Sequence, residues 1–470
     1  MKRKLMSIAA IILMLVVIGV VTAGGSENQR IHQHLAAAVK ISCDHTDPLA
    51  FCTHLPLISI HTNGQPIPSD EGDNSSLTAD FQVMDNPTAN NHLYDEAVIS
   101  SFADIHSRGN SSPLLDKKSL LIKLVTENRT ENKLAVMGMP AHDEWVLYGP
   151  YLDKTLLRNY LGMNIAAEIM NYTANVRFCE VFLDDHYQGV YLMMESISQG
   201  ENRINISKYS SGSTYTSYLV RLDRNAAEPG NLNNFTRYAY DTESVFNVVY
   251  PESAILTPEL RTYIEQDLSK IEKALYSYDY TNEQYGYQNT LDVMSFVDYF
   301  ILNEFTQNYN AAKLATYLYK DVRGKLTIGP VWDFSSAFDN DRIEFDGTGF
   351  SMQLGTWYFM LFKDPAFVDL VIERYHQLRK TVLSDVYLQD YINDTVAYLG
   401  LAVDRNFQVW GNAFNGDEDY LQPTERNPAN YQEAIQQLKT FITVRGDWLD
   451  QNIENLRQYC HESANKKFNH

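Results

Sequence analysis

The sequence predicts an α+β protein with a β-rich front lobe and a mainly helical back lobe. Two observations carry this. Between residues 55 and 125, and again between 177 and 194, short runs rich in apolar residues are bounded by turn signals, the pattern of strands. From residue 256 onward apolar residues recur every three or four positions, the period of helices that bury one face. The chain has 470 residues, 44% hydrophobic and 21% charged, a globular composition that excludes wholesale disorder and suits one large or two medium domains. No internal repeat or low-complexity tract interrupts it.

The first element is an export signal. Lys2, Arg3 and Lys4 give a positive start, Leu5 to Ala23 is apolar or small apart from Ser7 and Thr22, and Val21-Thr22-Ala23 puts small residues where a signal peptidase cuts. Residues 1–23 are expected to be a signal peptide or an N-terminal membrane anchor, the one place where the chain would meet a membrane. The folded part is then exported, extracellular or at the cell surface. Residues 24–54 read as a tether. Cys43 and Cys52 flank a Pro-containing loop and suit a small disulfide in that compartment, whereas Cys179, in an apolar run, reads as a buried thiol.

The folded part spans 55–455, with the front lobe ending near 225. Leu55–His61 is a strand closed by the turn Thr62-Asn63-Gly64; Thr78–Met84, Ala97–His106 and Leu120–Val125 follow as strands. Thr155–Met170 is a helix, with Leu156, Leu157, Leu161, Ile165 and Ile169 on one side and Asp153 as its N-cap. Arg177–Leu183 and Gln188–Met194 form a hairpin around Asp184-Asp185-His186-Tyr187, and Ser207–Ser217 is a polar loop. Helices are expected over Leu256–Tyr276 and Leu291–Gln307. A hairpin pairs Ala315–Lys320 with Lys325–Ile328, and helical runs close the chain at Ala366–Ser384, Leu388–Trp410 and Asn430–Gln458.

Lys plus Arg is 38 and Asp plus Glu is 59, a formal charge of −21, which argues against nucleic acid as a partner. Any nucleotide must meet a local group of cations. Arg108-Gly109-Asn110-Ser111-Ser112 with Lys117-Lys118 offers one: a glycine turn exposes backbone amides, and hydroxyls and lysines add donors and charge. An ordinary turn with solvated lysines has the same composition. Lys123 is more pointed, because it sits in the otherwise apolar strand Leu120–Val125, where burial without a partner is costly.

The order lysine strand, helix, two strands, then Glu195 is that of a protein-kinase small lobe. Glu168 is the helix acid that could orient the lysine, or a solvated surface residue. Glu195 either lies beside the nucleotide or pairs with Arg158. The strongest pattern is the helix ending in Asn308-Tyr309-Asn310, a hairpin, then Gly329-Pro330-Val331-Trp332-Asp333-Phe334. That is the layout of a catalytic loop followed by a metal-binding Asp, whose hard oxygens suit Mg²⁺. A turn Asp would also fit this position.

Taken together these motifs resemble the spore-coat protein H (CotH) kinase family from about Leu55 to Trp448. The resemblance implies an atypical protein-kinase-like two-lobed fold. It also implies ATP, Mg²⁺ or Mn²⁺ as cofactors, and phosphoryl transfer to Ser or Thr of an exported protein acceptor. It places Arg108, Asn110, Ser111, Lys118, Lys123, Arg158 and Glu195 at the nucleotide. Asp333 and Asn308 would hold the metal, and Asn310 and Asp333 would serve catalysis. The sequence departs from the family at two acids: Asn310 stands where an Asp is usual, and Ser335 where a second acid often follows. Asp339 and Asp321 are near but out of register. A neutral Asn is a poor base, so a catalytically weak or inactive pseudokinase, acting as a nucleotide- or protein-binding surface module, is the alternative expectation.

Overall fold

The computed structural model describes residues 30, 32–37, 51–69, 76–109, 115–224, 231–239, 244–353, 355, 357–414 and 420–461. The elements run α1 (Gln33–Ala36), β1 (Leu57–His61), β2 (Leu77–Met84), β3 (Ile99–Ser107), β4 (Leu120–Val125), β5 (Leu134–Val136), β6 (Met139–His142), β7 (Glu144–Tyr148), α2 (Arg158–Ala167), β8 (Val176–Leu183), β9 (His186–Glu195) and β10 (Tyr218–Arg224). There follow α3 (Phe235–Ala239), β11 (Ser244–Tyr250), α4 (Pro258–Tyr276), α5 (Val293–Phe305), β12 (Thr316–Lys320), β13 (Thr327–Ile328), α6 (Tyr358–Leu361), α7 (Pro365–Arg379), α8 (Asp385–Leu399), α9 (Leu401–Trp410) and α10 (Tyr431–Asn452).

The mixed α+β class holds. The front sheet is a closed barrel in the order β1-β2-β3-β4-β7-β9-β8, in which β1 pairs antiparallel with β2 and parallel with β8. Closure leaves little edge to pair with another chain, only the start of β8 before Glu180 being uncovered by β1. Ile58, Ile60, Phe81, Ile105, Ile122, Leu124 and Trp145 fill its interior. The opposite faces of β8 and β9 carry Phe178, Val190, Leu192 and Met194 into a second, larger core shared with α2 and the C-terminal helices. Both faces of these strands are therefore buried, which is why they read as nearly continuous apolar runs.

The second sheet, β11-β10-β12-β13, draws strands from both sides of the expected boundary near 225. Strand β10 precedes that boundary in sequence yet pairs with β12 of the expected back-lobe hairpin, Val220 opposite Leu318. The expected helix 388–410 is two helices broken at Gly400, whose φ of 47° suits glycine. Helix α2 is shorter than expected and buried from Arg158 to Ala166, so it has no solvent face. Its N-cap position is Leu157, not Asp153; Asp153 instead accepts from the Arg158 amide at 2.8 Å.

The described part of the expected tether is docked. Gln33 hydrogen-bonds both main-chain groups of Phe178, at 2.6 and 3.0 Å. This segment holds on through polar side chains, which leave no apolar period to read. Cys52 is disulfide-bonded, and Cys179 and Cys460 are free thiols; position 43, like the expected signal 1–23, lies outside the described residues. Among the described residues no helix is long and apolar enough to cross a membrane.

Candidate functional site

The site is built on the segment that leaves β13. Gly329 has a φ of 121°, a backbone conformation that residues with a side chain rarely adopt. Asp333 follows with a φ of 65°, in the left-handed region that a non-glycine residue enters at a cost of about 1–2 kcal/mol. Several contacts hold it there. The Phe334 amide donates to Asn159 Oδ1 at 2.7 Å, the Ser335 amide donates to Asp333 Oδ1 at 2.9 Å, and Asn308 Nδ2 donates to the Asp333 carbonyl at 3.2 Å. The Phe334 ring lies on α2 where Gly162 leaves room, since a Cβ at 162 would stand 2.4 Å from Phe334 Cγ. Helix α2 thus carries a glycine in its middle, at a helical cost of about 1 kcal/mol relative to alanine, because the segment packs against it so closely.

Asn308 sits just past the end of α5 and is buried. Its Nδ2 also donates to Asn303 Oδ1 at 3.1 Å, which fixes the amide. Its Oδ1 is buried with no hydrogen-bond partner. Leaving a buried acceptor unpaired costs about 1–3 kcal/mol, so the atom fits a ligand. Asp333, whose main-chain oxygen accepts from Asn308 Nδ2, is exposed. Two hard oxygens of this kind suit Mg²⁺ or Mn²⁺, which keep waters and take phosphate oxygens for the remaining positions. Among the described residues no group of three or more His, Cys, Asp or Glu forms a site able to hold a metal by itself.

Cations flank the segment. The Arg108 guanidinium lies 5.2 Å over the Trp332 ring. Arg158 pairs with Asp153 at 2.6 Å and donates to the carbonyls of Ala337 at 3.2 Å and Phe338 at 3.4 Å. Tyr148, at the end of β7, hydrogen-bonds Asn159 and Ser335; burial and the charges of Asp333 and Asp153 push its hydroxyl well above its ordinary pKa. Behind the segment a cleft of about 390 Å³ is lined by Arg158, Phe338, Asp339, Arg426 and Phe441. Farther back, Glu304 and Arg445 form an ion pair at 2.6 Å that is closed to solvent. Arg445 also binds the carbonyls of Gly347 and Gly349, and Glu304 accepts from the amides of Ser351 and Met352. The loop after the site is therefore tied to α5 and α10.

Of the residues singled out in the sequence, Arg108, Arg158, Asn308 and Asp333 all touch the 332–338 segment. The others do not come together this way. Lys123 faces outward from the barrel, exposed, with Asp143 at 4.0 Å; the strand's inward residues are Ile122 and Leu124, so the expected burial cost does not arise. The buried lysine is its neighbour in the motif, Lys117, whose Nζ donates to the Val190 carbonyl at 2.6 Å and to Asn406 Oδ1 at 2.7 Å. Burial pushes Lys117 well below its ordinary pKa. Lys118 is exposed.

Glu195 is fully buried against Arg203 at 2.9 Å, not Arg158, which Asp153 already engages. Glu168 pairs with His32 at 2.8 Å and not with a lysine. Asp339 pairs with Arg426, and Asp321 accepts from the amides of Ser207 and Val322. Asn310 is half-buried, and its carbonyl accepts from Leu314 N at 2.8 Å. Asn110 and Ser111 lie outside the described residues. Tyr148, Asn159 and Gly162 were not foreseen as site residues; only the mid-helix glycine at 162 carries a sequence signal, its cost to the helix.

The chain belongs to the family described as CotH kinase protein, whose model matches residues 105–449. The match runs from β3 to α10 and contains every residue of the site. Among curated proteins no match is found.

Proposed function

We propose that the chain is an exported kinase of the CotH type, which uses ATP and Mg²⁺ or Mn²⁺ to phosphorylate Ser or Thr of exported or cell-surface proteins, within an atypical two-lobed kinase fold. The observation that carries this reading is the buried, unpartnered Oδ1 of Asn308, held to the main chain of Asp333. The metal would neutralise phosphate charge and align the transferred group. Asp333 and Asn308 would hold it, with the strain at Asp333 spent in advance on presenting the carboxylate. Arg108, stacked on Trp332, and Arg158 would supply cationic charge next to the segment, and Asn310 would orient the acceptor hydroxyl. Phosphoryl transfer is mostly positioning and electrostatics, so it proceeds without a strong base, only slowly. Calorimetric titration with ATP and Mg²⁺, together and apart, tests this. Metal-dependent ATP binding that vanishes in Asp333→Ala is expected; absence of ATP binding by the wild type overturns the reading.

One observation favours a second reading. Position 310 offers an amide instead of a carboxylate, and Asp339 and Asp321 are engaged elsewhere. A pseudokinase that binds nucleotide and recruits partners at the cell surface follows if ATP binds but no phosphate is transferred.

A further inference from the structure

We propose that the groove between α2, β8 and α8 is a peptide-binding site that reads the chain's own Arg30, His32, Gln33 and His34, and that gives them up on acidification. Side chains do the reading. Arg30 donates to Asn164 Oδ1 at 2.9 Å, Thr173 O at 3.2 Å, Ala174 O at 2.8 Å and Asn175 Oδ1 at 3.1 Å, so its planar fork is filled by neutral acceptors. Strand β1 covers the edge of β8 from Glu180 onward, and the amide of Gln33 supplies the missing rung at Phe178. His32 bridges Glu168 of α2 at 2.8 Å and the Tyr391 hydroxyl of α8 at 2.9 Å. His34 Nδ1 meets the Tyr160 hydroxyl at 2.9 Å, while its Nε2 is buried without a partner.

The charges around the two rings explain the release. Arg30 lies on the segment itself, and Arg177 of β8 faces both Arg30 and His32. The acids are Glu168, already on His32, and Glu195, which acts on Arg30 and is held by Arg203. Tyr160, Tyr387, Tyr391 and Tyr398 complete the surroundings as hydroxyls kept neutral by burial. His34 therefore has no acid to meet a second proton. Burial pushes it down to about 4 and lowers His32 as well. The undocked histidines titrate near 6.5 and the docked ones lower, so acid favours the undocked state. The dock is whole above about pH 6.5 and weakens through His34 about tenfold per pH unit below it, until His34 charges in place near 4, with His32 adding to the loss. Because the segment grips Tyr160, Asn164 and Glu168, its release unbraces the helix that holds Phe334 through Asn159.

Hydrogen exchange on the full chain tests this without any assumption about catalysis. Protection at the Phe178 amide and across 32–37 should drop at least tenfold between pH 7.5 and 5, after correction for intrinsic rates. Arg30→Ala should remove it at both pH values, and His34→Phe should keep it while flattening the pH response. Unchanged wild-type protection at pH 5, or a protected Phe178 in Arg30→Ala, overturns the proposal. If Arg30→Ala loses protection throughout the chain, Gln33→Leu decides: loss confined to Phe178 and 32–37 supports the site, and no loss overturns it.

Discussion

The side-chain amide of Asn308 donates to the main-chain oxygen of Asp333 across 25 positions of sequence, at 3.2 Å. The bond joins the end of α5 to the segment leaving β13, and the other atom of that amide, Oδ1, is a buried acceptor without a partner. One side chain thereby positions its neighbour and keeps an oxygen for a ligand.

Removing either oxygen separates these two tasks. Asp333→Ala should abolish metal-dependent ATP affinity and leave the fold intact, because the carboxylate is exposed. Asn308→Ala should cost stability as well, about 1–3 kcal/mol, since Asn303 Oδ1 and the Asp333 carbonyl both lose a donor. Titration with Mn²⁺ and thermal melting, run on both variants, check the split.

Placing an acid at position 310, where the resemblance expects one, should raise turnover. Asn310→Asp is expected to increase phosphoryl transfer to a Ser-rich acceptor by about 10²–10⁴-fold, the usual contribution of a positioned base. If position 310 faces the metal that Asp333 would hold, the added charge should also make stability more metal-dependent than in the wild type. A radiolabel assay and melting curves with and without Mg²⁺ read both effects. Brisk wild-type activity that falls on adding the acid would show Asn310 to be the working residue.

Lys123→Met should leave stability within about 0.5 kcal/mol of wild type, because its pair with Asp143 is long and its side chain exposed. Its ATP affinity then decides the role assigned by resemblance: a phosphate contact would weaken binding by about 1–3 kcal/mol, and no change would leave Lys123 as a surface residue.

Arg445→Met should be strongly destabilising, by about 3–5 kcal/mol, since it strands the buried carboxylate of Glu304. Adding Glu304→Gln should recover part of the loss, because the two changes act on one contact. Chemical denaturation of both single variants and the pair measures the coupling; simple additivity would show that the pair is not a unit.

The parts of this molecule that were legible in sequence are those with a period or a turn. Strands β1 to β4 follow from short apolar runs, the β8–β9 and β12–β13 hairpins from such runs flanking a turn, and the Trp332-Asp333-Phe334 motif from its place after the second hairpin. Long-range partners were not legible. Alternation inside β4 gives two faces but not which one meets the barrel interior, so Lys123 was read as buried although Ile122 and Leu124 fill the core. Glu195 has two arginines within reach of the chain's folding, and only the tertiary structure brings Arg203 to it. Strands β5 to β7 are short, and β10 pairs with the distant β12, so none of them gave a clear pattern. The polar grip of Arg30 and Gln33 has no period at all.

The barrel closes through the parallel pair β1–β8, Leu57 opposite Glu180. A chain made or delivered from its N-terminus presents β1 long before β8 follows. Until then the run Leu57-Ile58-Ser59-Ile60 has only β2 beside it, and the apolar interior stays open at one seam. The long loop closure makes this the slow, non-local step of assembly. Substitutions near Val181, which pairs with Ile58 across the seam, should therefore lower the yield of folded protein more than they weaken the protein once it is folded.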